Sequence, residues 1–257
     1  MIQIFTYNNT FEGFLTVVFE CYMRNAYPAD IRPRNKLQRN IFCEYIFIES
    51  NPDKAARVWK GIRERLPGKN KNLPFYSFLS EADGIEMKIF RFIKRIFSKQ
   101  FDVDTDFGDP DVLYLNQVSM KVKHEGMRML QFVRFQRTKE GLYFCGIEPR
   151  YDVIPLAINH YKRRFANQKW IICDLKRDYG IFYDLKETQE IVLTQKNFNE
   201  LDGAVQDYLL EEGEEFYQQL WKTYFKNINI KERKNLRLQR QHMPQRFWKY
   251  LTEMQED

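Results

Sequence analysis

Apolar positions along the chain switch repeatedly between the period of a strand and that of a helix. Ile2–Tyr7 reads as a short strand, and Thr10 is placed to cap a helix whose Phe11, Phe14, Leu15, Val18, Phe19 and Tyr22 recur at three- and four-residue spacing. A basic, proline-marked connection follows, with Arg24, Arg32, Arg34, Lys36 and Arg39 set against Asp30. Tyr45–Ile48 predicts a second strand. Asn51-Pro52-Asp53 then opens a helix that runs to about Arg65 and stops at Pro67-Gly68. The first 68 residues therefore predict a β-α-β-α unit.

The middle of the chain predicts long helices. Ile85, Ile89, Phe92, Ile93, Ile96 and Phe97 form one apolar stripe. Asp109-Pro110-Asp111 combines an acidic cap, a proline at the first helical position and a second acid in the first turn. From there helical spacing continues to about Phe135. Beyond it, Leu142–Ile147 predicts a strand and Pro155 opens a short helix. Trp170–Asp174, Tyr179–Asp184 and Glu190–Leu193 predict an antiparallel meander, with Lys176, Arg177 and Asp178 at its first turn. A last helix is expected over 203–225, followed by a basic tail. The fold class is α+β: residues 1–68 as the N-terminal unit and 69–257 as a helical plus antiparallel-sheet part, or both as one continuous domain.

Charge sharpens this picture. The chain of 257 residues carries a net charge of +6. Residues 226–249 hold eight cations against Glu232 alone, a net of +7, which leaves −1 for all the rest. Cations gathered in one segment are what phosphate contact requires. The alternative is a solvated helix face, or a tail packed on acids such as Glu211, Glu212 and Glu214. The 22 Phe, 15 Tyr and 4 Trp predict a substantial packed core, with some rings left for a binding surface.

Other patterns exclude chemistry. No apolar run approaches the roughly 20 residues of a membrane span, and the opening residues do not form a secretory signal. A cytoplasmic protein without membrane contact is expected. Cys21, Cys43, Cys145 and Cys173 are scattered within apolar stretches and predict reduced thiols, not a metal or cluster site. Asp102–Asp106 imitates the start of a calcium loop, but Phe107 and Leu113 stand where glycine and a bidentate glutamate belong. It reads as an exposed linker. None of His124, His160 and His242 has a partner at metal-helix spacing, and no phosphate loop, dinucleotide fingerprint or nucleophile elbow occurs. No cofactor or metal is expected.

Two sets of residues remain. His160 precedes the strand that carries Asp174, and convergence of the two would make an acid/base pair beside a phosphate held by Arg163, Arg164 or Arg177. The plainer reading is a hydrogen-bonded histidine on a helix packed against the sheet. Arg237, Arg240 and Arg246, interleaved with Phe247, Trp248 and Tyr250, suit backbone contacts and stacking on exposed bases. They equally suit a docking segment, with the rings structural and the arginines functional. Arg163, Arg164, Lys176, Arg177, Arg237, Arg240 and Arg246 are the nucleic-acid contacts this reading selects.

Several stretches together resemble a bacterial family of DNA-metabolism and DNA-repair proteins of unknown function. They are Tyr7–Leu15 with Phe19–Tyr22, the helix from His124-Glu125 to Arg134-Phe135, and Tyr143–Pro149. Most specific are Asp152–Leu156, His160-Tyr161, Arg164-Phe165 and Trp170–Asp174 with Lys176-Arg177 and Tyr179–Ile181. Met243-Pro244, Arg246 and Trp248–Glu253 complete the match, with Asn8-Asn9 as a small departure in the opening turn. The resemblance implies an association with a radical-SAM protein of DNA modification or repair, and fusion in some members to a uracil-DNA-glycosylase-like domain. This chain lacks the closely spaced cysteines of a radical-SAM enzyme and the glycosylase motifs. It therefore looks like the accessory member of such a system, one that binds DNA and works with the radical-SAM partner. The alternatives are an enzyme acting on DNA through His160 and Asp174, or an adaptor that binds only protein and shows its aromatic surplus as an exposed apolar patch.

Overall fold

The computed structural model describes residues 2–38, 40–66, 68–98, 103–193, 205–206, 209–228 and 235–254. The chain divides into two compact units, Met1–Lys123 and His124–Asp257. Helices with a three-stranded parallel sheet in one unit, and a mixed five-stranded sheet with flanking helices in the other, make the protein α+β. No helix among the described residues is long and apolar enough to cross a membrane.

In the first unit β1 (Ile2–Tyr7) is the central strand, flanked by β2 (Asp30–Pro33) and β3 (Cys43–Phe47), both parallel to it. The Thr10 hydroxyl accepts from the Gly13 N–H at 3.0 Å and starts α1 (Phe11–Met23). Asn51 does the same for Lys54 at the head of α2 (Pro52–Arg65), where Pro52 gives up an N–H that a first turn does not use. α3 (Leu73–Phe78) and α4 (Ile85–Phe97) follow, and the long α5 (Pro110–Phe132) begins where the Asp109 carboxylate accepts from the N–H groups of Asp111 and Val112. Phe5, Phe14, Ile62, Ile89, Phe92, Val112 and Leu115 share one core, which gathers residues from both sides of position 68. The expected boundary there thus falls inside the unit, because α4 and the start of α5 supply the cover that β1 and α1 need.

Two expectations change here. The basic connection contains the edge strand β2, hidden in the sequence by its four-residue length and by Pro33. The acidic run expected to be an exposed linker is in part a packed 3-10 turn, Val103–Thr105; Asp102 lies outside the described residues. Asp104 is only 3% exposed, and its carboxylate accepts from Asn70 Nδ2 at 2.6 Å.

In the second unit β4 (Gln136–Arg137), β5 (Tyr143–Ile147), β6 (Trp170–Asp174), β7 (Tyr179–Tyr183) and β8 (Thr188–Val192) lie side by side in chain order. The meander β6–β7–β8 is antiparallel as the pattern predicts. β5, however, runs parallel to β6, and α6 (Ile154–Arg164) is the crossover that parallel neighbours require. The helix expected over 203–225 is α7 (Glu214–Ile228), with residues 203 and 204 outside the described ones. Its start is displaced because Leu210 bridges to Thr138 and Gly213 adopts a positive φ of 98°. α8 (Leu236–His242) and a 3-10 segment, Gln245–Tyr250, complete the unit.

Candidate nucleic-acid interface

Asp174, at the end of β6, has no exposed surface. Its Oδ1 accepts from the backbone N–H groups of Lys176 at 3.0 Å and Arg177 at 3.1 Å, which folds the chain back into β7. Asp178 then takes a positive φ of 54° to close the turn. The Arg177 guanidinium donates to Asp174 Oδ2 at 2.7 Å and to the carbonyls of Pro149 and Arg150, each at 3.3 Å. One arginine thus ties the β6–β7 turn to the loop after β5. Burial raises the Asp174 carboxyl above its ordinary range, against the opposing pull of Arg177.

His160 stands on α6, half-buried, its ring edge-on to Tyr161 with 5.3 Å between centroids. It is not among the hydrogen-bond partners of Asp174, whose two oxygens are engaged by Lys176 and Arg177. The contact through which one would orient or charge the other is missing. Among the described residues no group of His, Cys, Asp or Glu could hold a metal ion.

The cations chosen from the sequence separate into two kinds. Arg163 and Arg164, in the last turn of α6, are exposed; Arg163 Nε donates to the Asn159 carbonyl at 3.1 Å and Arg164 leans over the Phe165 ring. Lys176 is exposed at the β6–β7 turn. Arg237 and Arg240 are exposed on α8, whose first turn Asn235 caps by accepting from the Leu238 N–H. None of these five is ion-paired among the described residues. Lys231, Arg233 and Lys234 of the basic tail lie outside the described residues.

Arg177 and Arg246 are bound into the unit. Arg246 pairs with Glu125, a carboxylate on α5 that is only 2% exposed and also accepts from the Arg150 N–H at 3.0 Å. Lys249 meets Glu148 at 2.8 Å, and Glu253 takes bonds from Arg134 at 2.7 Å and from the Trp221 indole at 2.9 Å. Phe247 packs on Phe132, and Leu251 has no exposed surface. Residues 245–254 are therefore a docked strap. Sequence reasoning missed Glu125, since nothing marks which acid on a helix will be buried. It also missed the outer face of α7, where Phe216, Tyr217, Leu220, Trp221, Tyr224 and Ile228 are exposed. The spacing 217, 220, 221, 224, 228 was the available signal.

A family model described as a domain of unknown function, DUF4130, matches residues 83–253. No curated protein matches the chain. No solved structure matches it either.

Proposed function

The chain belongs to the DUF4130 family, a domain of unknown function, and we propose that it is a nucleic-acid-binding accessory protein of DNA metabolism or repair. The observation that carries this reading is the set of exposed cations that form no ion pair among the described residues: Arg163 and Arg164 on α6, Lys176 on the turn, Arg237 and Arg240 on α8. Unpaired cations gain most from phosphate, because binding releases counterions and breaks no internal ion pair. A hydrolytic or transferase centre at His160 and Asp174 draws no support, since Asp174 is spent on holding the turn. The working partner is a radical-SAM protein of DNA modification or repair, with a uracil-DNA-glycosylase-like protein as a further associate, as the resemblance of the sequence suggests.

The test is binding to fluorescent single- and double-stranded DNA over a salt series, wild type against a variant with Arg163, Arg164, Arg237 and Arg240 changed to Ala. Each lost contact to duplex reduces the slope of log K against log salt by about 0.9. A fall of about 3 to 4 in slope supports the interface. Negligible binding of the wild type at low salt favours the adaptor reading, for which the exposed aromatic face of α7 is the supporting observation.

A further inference from the structure

We propose that a groove over Trp59 in the first unit is a second nucleic-acid site, one that takes an unpaired base of a single strand. The choice of ligand rests on the nucleic-acid reading above; the site does not, because it lies outside the residues matched by the family model and shares none of the cations named there. Trp59 sits mid-way along α2, half-exposed, and separates two open hollows that share Ala56 and Trp59 as walls.

One hollow, of about 450 Å³, is aromatic. Phe11 and Phe75 line it with Trp59; Phe11 meets the Trp59 ring edge-on at 5.2 Å and Phe75 at 5.1 Å. All three rings are half-exposed; Phe11 and Trp59 pack against the core of the unit, and Phe75 rests on Phe11 and Tyr76. The other hollow, of about 680 Å³, is cationic: Lys60, Arg63 and Lys71 line it and are exposed. The one acid among the described residues lining it, Glu64, lies 3.9 Å from Lys60. Both volumes fall within the few hundred to a thousand Å³ typical of ligand sites.

The arrangement follows from helical spacing. Ala56, Trp59, Lys60 and Arg63 fall three and four residues apart on one stripe of α2, so a ring and two cations project together. The other cations of that helix face elsewhere: Lys54 pairs with Glu20 at 2.6 Å, Arg57 covers Phe19 and Arg65 covers Phe97. The Trp59 indole N–H meets no acceptor among the described residues.

A half-exposed aromatic floor beside a cationic trough fits one kind of partner well. A base supplies a flat face for the rings, and its flanking phosphates supply the charge for Lys60, Arg63 and Lys71. Glu12 lines the aromatic hollow and not the cationic one, so its charge disfavours phosphate on the aromatic side. An amphipathic peptide would use the rings but leave the trough unmatched.

The experiment is anisotropy titration of fluorescein-labelled (dT)12, and of an abasic strand of equal length, against the full chain. Trp59→Ala weakens (dT)12 about 5- to 100-fold, the span expected for losing one stacked base. It leaves the abasic strand unchanged, and Trp59→Phe recovers most of the loss. Lys60→Glu with Arg63→Glu, surface changes that do not touch the core, weaken both strands. Unchanged (dT)12 affinity in Trp59→Ala and in the double variant overturns the site and assigns the groove to a non-nucleic ligand. If the four-arginine variant alone loses binding, this site falls and the interface on the second unit stands. If wild type binds neither strand at low salt, both fall.

Discussion

Asp174 is the residue at which two readings of one carboxylate part. From the sequence it could serve as half of an acid/base pair; in the fold it is the acceptor that holds a hairpin turn and orients Arg177. Asp174→Ala takes the acceptor from two turn N–H groups and the carboxylate from a mostly buried guanidinium, and costs about 2–4 kcal/mol of stability in urea or thermal unfolding. Asp174→Asn keeps the two backbone bonds and costs less. A variant that unfolds like wild type would defeat the structural role. Cysteines give a second residue-scale expectation. Burial pushes the thiols of Cys21, Cys145 and Cys173 up to about 12, so they stay protonated and inert, whereas Cys43 is half-exposed. Titration with a disulfide reagent should find one fast thiol in the native protein and all four after denaturation.

Between elements, the pairing of α4 with α5 rests on a charged clamp. Asp111 accepts from Lys88 at 3.1 Å and Arg91 at 2.6 Å, while Arg95 reaches Asp106 at 2.6 Å and also Asp109. The Arg91 bond first, with Lys88 adding to it against partial burial, holds the Asp111 carboxyl below its usual range. Its contribution to stability is therefore present above the unfolded carboxyl value of about 3.9 and is lost as pH falls through the lower, folded one. Asp111→Asn should cost about 1 kcal/mol at pH 7, limited by solvent around Arg91, and little near pH 2; melting curves across that range check it. The sequence showed Asp109 and Asp111 as the head of a helix. It could not show the partners on α4, because those cations lie 14 to 23 positions earlier along the chain and meet the acids only when the two helices pack.

For the molecule as a whole, net charge pointed to nucleic acid, but not to the residues free to meet it. Arg246 and Lys249 count in the basic run, yet both are neutralised by Glu125 and Glu148. The variants that test binding should thus leave Arg246 alone. Arg246→Ala removes the guanidinium opposite a buried carboxylate and should lower stability by about 1–2 kcal/mol, the partial exposure of the arginine reducing the full cost of a broken buried pair. Arg237→Ala with Arg240→Ala should leave the melting temperature unchanged and alter only the salt slope of DNA binding. The opposite pattern, a stability loss from α8 and none from Arg246, would mean that the strap is not what anchors the C-terminal segment.

Local chemistry settled much by itself: Thr10, Asn51 and Asp109 as caps, the apolar stripe of α4, the meander from Trp170 to Val192 and the α+β class. Each depends on neighbours within a turn or on a period that a strand or helix carries with it. Tertiary structure alone decided the parallel pairing of β5 with β6, the hidden strand β2, the late start of α7 and the division after Lys123. It also decided which cations remain open, because an arginine is spent or free according to whether a distant acid, such as Glu125 for Arg246, is carried to within hydrogen-bonding reach. Spacing along a chain determines what a residue can do; the long-range contacts that bury its partner determine what it has left to do.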